Sequence, residues 1–429
     1  MYKPKMKLTP EQEDILSGKQ GEVKAKMMET IVRYGDIFDA PNLVPVSHPC
    51  GHLVTSFGMG LLKPVFRTFD EMIAEGLKVE GGFTMDPRPL DYKNVKCNLL
   101  EKAVFNLVMY GKQKDYEERL KKLGLKDINA FSCACYFKEI GNVPKKGNVL
   151  SWAESSAVNY ANSVLGARCN RNSGMIDIFG SVLGYVPKFG LLTDEGRKAT
   201  WKVTLKLTKM PEAQVLGSAI GMKVLEEVPY VVGLDKWIGE ELNDQAVDFL
   251  KDFGAATASN GAVGLYHIDK VTPEAKEQGE KLLAKGYKEY VIDDAELERV
   301  YKSYPIMWKD PSKEGNLAFI GCPHLSLRQL HDWTNAICDS LKANKRKKVA
   351  VRTILCTAPA VKEAFMKTDD YKRLMDTGCK LTCICPLMYA NNPLTKKRRI
   401  FTSSNKLRTY TLSRYYKTED LLKKISGVK

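Results

Sequence analysis

The period of the apolar positions changes along this chain, and the change is clearest in the C-terminal third. Short apolar runs at 290–292, 317–320, 349–355 and 381–385 read as buried strands. Each is followed by a polar break and then by a stretch with apolar residues at three-to-four spacing, the period of an amphipathic helix. Asp293 or Asp294 caps a helix running through Tyr304, a second helix covers 326–341, and a third starts near Ala360. Gly321-Cys322-Pro323 breaks one strand and Pro386 ends another. This alternation predicts a three-layer α/β domain with a largely parallel sheet. Cys322 and Cys385 then fall just past strand C-termini, where open α/β sheets collect ligands.

Towards the N-terminus, Thr9-Pro10-Glu11-Gln12 has the pattern of a capping box with proline in the first turn. Residues 23–34 are amphipathic, 44–46 read as a short strand, and 99–123 as one or two helices. A further helix is predicted over 149–165. No internal repeat or Gly/Ser linker marks the boundaries. Three regions are expected: an N-terminal α/β region over 1–145, a central region over 146–290 that carries this helix, and a C-terminal α/β region over 291–429 that carries Cys322 and Cys385.

Composition narrows the class. With 44% hydrophobic and 27% charged residues among 429, the chain has the material for a packed core, so disorder as the main state is excluded. No apolar run reaches the length of a membrane span, and the charged first residues do not fit a signal peptide. A cytoplasmic soluble protein is expected. The formal net charge of +15 suits an anionic substrate, an acidic partner or nucleic acid. The densest basic runs, 345–348 and 396–399, lack interleaved aromatics for stacking on bases. They read as solvated turns, which makes nucleic-acid binding the weaker reading.

Candidate chemistry comes next. At 100° per residue, Ser151, Glu154, Ser155, Asn159 and Asn162 would share one helical arc of about 140°, opposite Ala153, Ala157 and Ala161. Short polar side chains there point to a buried, hydrogen-bonded face or to a binding face. Arg168 and Arg171 follow at the expected helix end, and a guanidinium fork suits a carboxylate or phosphate. The 11 cysteines are odd in number and scattered, unlike a disulfide framework. Cys50, Cys97, Cys338, Cys356 and Cys379 read as small buried hydrophobes. Cys133-Ala134-Cys135-Tyr136, Cys322-Pro323 and Cys383-Ile384-Cys385-Pro386 are three separated thiol sites without the compact spacing of structural zinc. They are either buried thiols or ligands converging on an iron–sulfur cluster. His48, His52 and His267 are candidates for acid–base work or substrate bonding, against the plainer reading of structural histidines. Thr402-Ser403-Ser404-Asn405-Lys406 offers hydroxyls and a cation in a turn.

Several of these strings resemble one family. Trp152-Ala153-Glu154-Ser155-Ser156-Ala157-Val158-Asn159-Tyr160-Ala161-Asn162-Ser163, together with Ala258-Ser259-Asn260-Gly261-Ala262-Val263-Gly264-Leu265-Tyr266-His267, closely resembles the signature of aconitase X large chains. Gly321-Cys322-Pro323-His324 and Thr402-Ser403-Ser404-Asn405-Lys406 also look like family motifs, in family order. The resemblance implies aconitase-like α/β/α layers around a central cleft and an iron–sulfur hydro-lyase acting on a small hydroxy acid. Cis-3-hydroxy-L-proline is the expected substrate, with phosphomevalonate as the alternative. Cys133, Cys322 and Cys385 would ligate the cluster, whose nuclearity stays open. Glu154, His52 and Lys406 would be catalytic, while Ser155, Ser156, Asn162, Ser163, Arg168, His267 and Ser404 would bind substrate. A small swivelling-domain subunit, absent from this chain, would complete a heteromer and supply the serine base. Two departures stand out. The first cysteine motif usually reads Cys-Thr-Pro-Tyr, and the third lacks its usual acidic residue and Thr, which leaves Cys383 as the alternative to Cys385. Readings from other classes are a non-catalytic cluster carrier and a basic nucleic-acid binder.

Overall fold

The structure, a computed structural model, describes residues 2–54, 58–392, 394–396 and 398–428; Lys397, in the second basic run, lies outside the described residues. The chain opens with α1 (Pro10–Leu16) and α2 (Glu22–Ile37). The expected capping box is formed: Thr9 Oγ1 accepts from the Gln12 N–H, and Gln12 Oε1 accepts from the Thr9 N–H. Such a cap contributes about 1 kcal/mol. Val23, Met27, Met28, Ile31 and Val32 form the buried stripe of α2. Residues 99–123 give two helical pieces, Leu99–Ala103 and Gln113–Lys122, joined through a π-helical turn over Val104–Met109.

Four short strands frame this region: β1 (Leu43–Pro45), β2 (Gly51–Leu53), β3 (Phe83–Met85) and β4 (Tyr185–Pro187). β1 pairs antiparallel with β4, and β2 pairs parallel with β3. That second register sets His52 beside Thr84.

The helix expected over 149–165 is shorter. Only α3 (Ser155–Ser163) is helical, followed by α4 (Gly174–Leu183). Residues 149–152 are extended because they find strand-like partners: Val149 bridges to Arg168 and Trp152 to His52. Ser151 therefore does not share the helical arc of Ser155. Its hydroxyl instead bonds Asp177 of α4.

Two larger parallel sheets follow. The first contains β5 (Ala199–Lys206), β6 (Pro229–Val232), β7 (His267–Ile268) and β8 (Leu283–Asp293), in the order β7-β6-β5-β8. Its helices α5 (Ala213–Val224) and α6 (Asp244–Asn260) pack face to face, and α6 also packs on α3. The second sheet contains β9 (Leu317–Leu325), β10 (Arg352–Thr357), β11 (Lys380–Thr382), β12 (Ile400–Thr402) and β13 (Arg414–Tyr415), in the order β11-β10-β9-β12-β13. Here α7 (Leu327–Ala343) starts at a Ser326 capping box, and α8 (Asn405–Tyr410) is capped by Ser404. One continuous core joins α3 to both sheets through residues such as Ala157, Val203, Phe253 and Ile320. The expected α/β class is what forms. Among the described residues no helix is long and apolar enough to cross a membrane.

The strand containing Cys322 differs from expectation in an informative way. It does not stop at Gly321. Ile320 pairs with Leu355 and Leu325 with Thr357, so residues 321–324 loop out opposite Cys356 alone before pairing resumes. Gly321 permits this because its φ is +100° and a Cβ there would lie 2.3 Å from the Cys356 carbonyl oxygen. The strand expected over 349–355 is shifted to Arg352–Thr357. The one expected over 381–385 ends at Thr382, where the chain turns to bond Arg88 instead.

Candidate functional site

Three segments bring thiols to one cavity of about 350 Å³, lined by Cys133, Cys322 and Cys385. Cys133 follows a short 3-10 turn, Ile128–Ala130, after which the chain lies beside the end of β3 through the Met85–Phe131 bridge. Cys322 sits in the looped-out stretch of β9, and Cys385 lies past the end of β11, with its N–H bonded to the Arg88 carbonyl at 2.9 Å. Cys383 lines a different pocket beside Arg88 and Asp91. All three cavity thiols are free, and burial pushes each up to about 12. The Lys406 ammonium opposes that shift at every one of them.

Glu154 and Lys406 form the charged wall. Glu154 occupies the N-cap of α3, and its Oε2 accepts from the Ala157 N–H at 2.6 Å and from Ser156 Oγ at 2.7 Å. Its Oε1 accepts from Lys406 Nζ at 2.5 Å. Lys406 is placed by the first turn of α8, and Ser404 caps that turn while donating to the Cys322 carbonyl. Both charges are buried. Despite the cost of burial, Lys406 and the hydroxyl and amide donors hold the Glu154 carboxyl down at about 2, and Glu154 raises Lys406. Glu154 is therefore an anchored carboxylate, not a protonated acid. Ser155 lines the cavity; Ser156 braces the pair, 3.2 Å from Lys406 Nζ.

His52 lies behind the wall, fully buried, and burial lowers its pKa to about 4. Its Nδ1 is 2.9 Å from Thr84 Oγ1. Thr84 Oγ1 donates to the Gly51 carbonyl and accepts from Asn142, so the proton sits on His52 Nδ1. His52 Nε2 then points 3.9 Å from Asp86 Oδ1, and neither atom has a hydrogen-bond partner among the described residues.

The remaining expected residues lie elsewhere. Asn162 bonds the Cys169 and Gly264 carbonyls and accepts from the Cys169 N–H and from Arg197. Ser163 Oγ accepts from the Tyr266 N–H at 2.9 Å. His267 Nε2 donates to the Arg197 carbonyl at 2.8 Å, beside the doubly bonded Arg197–Glu274 pair. Arg168 turns outward to Asp194 and the Leu192 carbonyl. None of these four lines the cavity.

Four lining residues with polar side chains fall outside the expected set: Asp86, Arg171, His324 and Tyr410. Asp86 had one signal in the sequence, a carboxylate directly after an apolar run and before Pro87. Arg171 was visible beside Arg168. His324 stands within the Cys322 motif.

The donor set fits a polynuclear cluster. Three soft thiols from separate segments line one cavity, the side-chain type that holds iron–sulfur clusters. Among the described residues no three His, Cys, Asp or Glu groups converge on a single-ion position.

Comparison with known proteins defines the class. The chain is similar to proteins named dehydratases over two thirds to three quarters of its length and is itself an enzyme, a hydro-lyase. Models of the first, second and third aconitase X domains match residues 5–195, 199–302 and 315–425, and the chain belongs to the aconitase X family. It is 31% identical over 329 residues to the phosphomevalonate dehydratase large subunit of Thermococcus kodakarensis, covering 76% of each chain. The protein of the same name from Methanocaldococcus jannaschii is 32% identical over 345 residues, 76% of this chain and 77% of that one. Cis-3-hydroxy-L-proline dehydratase of Hypocrea jecorina is 28% identical over 289 residues, 66% of this chain and 46% of that one. The crystal structure of Thermococcus kodakaraensis aconitase X in its holo-form superposes with a TM-score of 0.79 at 28% identity, covering 98% of this chain and 100% of that one.

Proposed function

We propose that this chain is the large subunit of a phosphomevalonate dehydratase, an iron–sulfur hydro-lyase that works with a small swivelling-domain subunit. The observation that carries the reading is the meeting of Cys133, Cys322 and Cys385 with the Lys406–Glu154 pair on one cavity. Relatives named as large subunits align over about three quarters of this chain. That supports the phosphorylated acid over the ring amino acid expected from sequence.

Cys133, Cys322 and Cys385 would hold the cluster, which when bound supplies a Lewis-acidic iron for a departing hydroxyl. The other groups bind, orient and move protons. Arg171 makes no hydrogen bond or ion pair with any described residue, so its fork is free at the cavity wall for a phosphate or carboxylate. Lys406, fixed by Glu154 and in reach of Ser155 and Ser156, presents a second positive charge from a preorganised position. Asp86 lines the cavity and burial raises its carboxyl well above the usual carboxylate range, so it holds the proton that the departing hydroxyl takes up, with the bare Nε2 of His52 3.9 Å away. The base that removes the carbon-bound proton belongs to the small subunit.

The test is iron and acid-labile sulfide per chain after anaerobic purification, wild type against Cys322→Ser, followed by turnover with the small subunit. Stoichiometric iron and sulfide, lost in the variant, and dehydration of phosphomevalonate are expected. Turnover of cis-3-hydroxy-L-proline alone would overturn the substrate. Absence of both elements in the assembled wild type would overturn the cluster.

A further inference from the structure

We infer that His324 is a positioning residue that locks the three cysteine-bearing segments into one ligand set, an inference that rests on the cluster reading above. Cys133, Cys322 and Cys385 come from stretches far apart in sequence, and among the described residues no strand pairing joins Cys133's segment to the other two. His324 joins all three. It lies two residues after Cys322 in the looped-out part of β9 and is completely buried.

Every polar atom of the residue has a defined partner. The backbone N–H donates to Cys133 Sγ at 3.5 Å. The backbone carbonyl accepts from the buried ammonium of Lys251 at 3.0 Å. In the ring, Nε2 is 3.2 Å from the Ile384 carbonyl, next to Cys385, and Nδ1 is 3.1 Å from Ser132 Oγ, next to Cys133. A carbonyl oxygen only accepts, so Nε2 carries the proton and Nδ1 accepts from the serine hydroxyl. Ser132 Oγ in turn accepts from the Ala134 N–H at 3.1 Å, which completes its bonding without conflict.

The residue type follows from these demands. The site needs one donor and one acceptor at opposite corners of a rigid plane, neutral where it is fully buried. A neutral imidazole provides both. Groups just outside a ligand set orient it and tune the metal, and the N–H donated to Cys133 Sγ places a dipole on a ligating sulfur. Sequence spacing hid this role, because Ser132 and Ile384 are 192 and 60 residues away.

The test uses the full-length chain, purified anaerobically with its cluster, as wild type, His324→Phe, His324→Gln and Ser132→Ala. Iron release to a ferrous chelator, the electron paramagnetic resonance signature of the reduced cluster and its midpoint potential are the readouts. Circular dichroism reports folding. His324→Phe is expected to release iron roughly 10–100-fold faster with a shifted signature and potential. His324→Gln retains an amide donor for the Ile384 carbonyl and should fall between Phe and wild type, as should Ser132→Ala. Release rates and spectra equal to wild type in folded His324→Phe would overturn the lock while leaving the cluster reading intact. If His324→Phe does not fold, wild-type behaviour of Ser132→Ala overturns it equally. A wild-type chain without iron and sulfide overturns both.

Discussion

Helix α3 carries buried polar groups at both of its ends, and the ends differ in how completely those groups are satisfied. At the C-terminal end, Asn162, Ser163, Arg197 and Glu274 bond one another or backbone, closing the helix onto the loop before β7. At the N-terminal end, Glu154 and Lys406 are equally buried but front a cavity, with His52 Nε2 and Asp86 Oδ1 unpartnered beside them. A buried polar atom without a partner costs about 1–3 kcal/mol. A fold that needed only stability would not keep two such atoms side by side. Both ends belong to one sequence string, yet one end fixes the helix and the other faces a ligand.

The sharpest way to separate the ends is to remove one cation from each. Lys406→Met is expected to lower turnover of the assembled enzyme roughly 10²–10³-fold, because a preorganised charge at the reacting site is lost. Iron content should be retained, and Ser156 and the Ala157 N–H still hold the Glu154 carboxylate. Arg197→Met leaves the buried Glu274 carboxylate without its cation and should cost about 3–5 kcal/mol of stability in denaturant titration. Its folded fraction should keep near-wild-type kcat. Loss of kcat without loss of stability in Arg197→Met would place the distal end in the catalytic machinery.

The same contrast explains what could be read in advance. The Thr9 capping box and the strand–helix alternation after 290 are local signals, and both were legible. The extended stretch 149–152 was not, because its conformation is set by Arg168 and His52 across the fold. Nor was the loop-out at 321–324, which exists only through the register of β9 on β10. Cys383 and Cys385 differ by two positions in sequence. What separates them is the bond from the Cys385 N–H to Arg88, which leaves Cys385 on the cavity and Cys383 on another pocket. Asn162 and His267 stand in recognisable motifs but are occupied with backbone, and no spacing rule tells occupied from free.

A third buried carboxyl, Asp177 of α4, gives a pH test. It accepts from Ser151, Asn172 and the Ser173 N–H, without a cation partner among the described residues. Burial raises its pKa from 3.8 to about 7. Between those values the folded chain binds more protons than the unfolded one, so this group's contribution to stability falls as pH rises and is flat above about 7. His52, His267 and His324, lowered to about 4, act in the opposite sense between about 4 and 6.5. The quantity to measure is therefore the unfolding free energy of Asp177→Asn minus that of wild type. It should grow from pH 4 to pH 7 and then level off. A difference independent of pH would show that Asp177 is ionised throughout.

The smallest effect is expected at Arg168, and it bears directly on the comparison. Family resemblance makes this residue a substrate ligand, whereas the structure turns its guanidinium to Asp194, which is 88% exposed. An ion pair with so exposed a partner contributes about 0–1 kcal/mol. Arg168→Ala should therefore leave kcat and KM within about twofold of wild type, a change too small to represent a lost bidentate contact to an anion. Arg171→Ala, three positions on and facing the cavity, should raise KM for the phosphorylated acid by about tenfold or more with a smaller change in kcat, the signature of lost uniform binding. Steady-state kinetics of the two variants side by side decides between them. If Arg168→Ala carries the larger KM effect, its pairing with Asp194 must open when substrate binds, and the satisfied groups near the far end of α3 would have to be counted with the site.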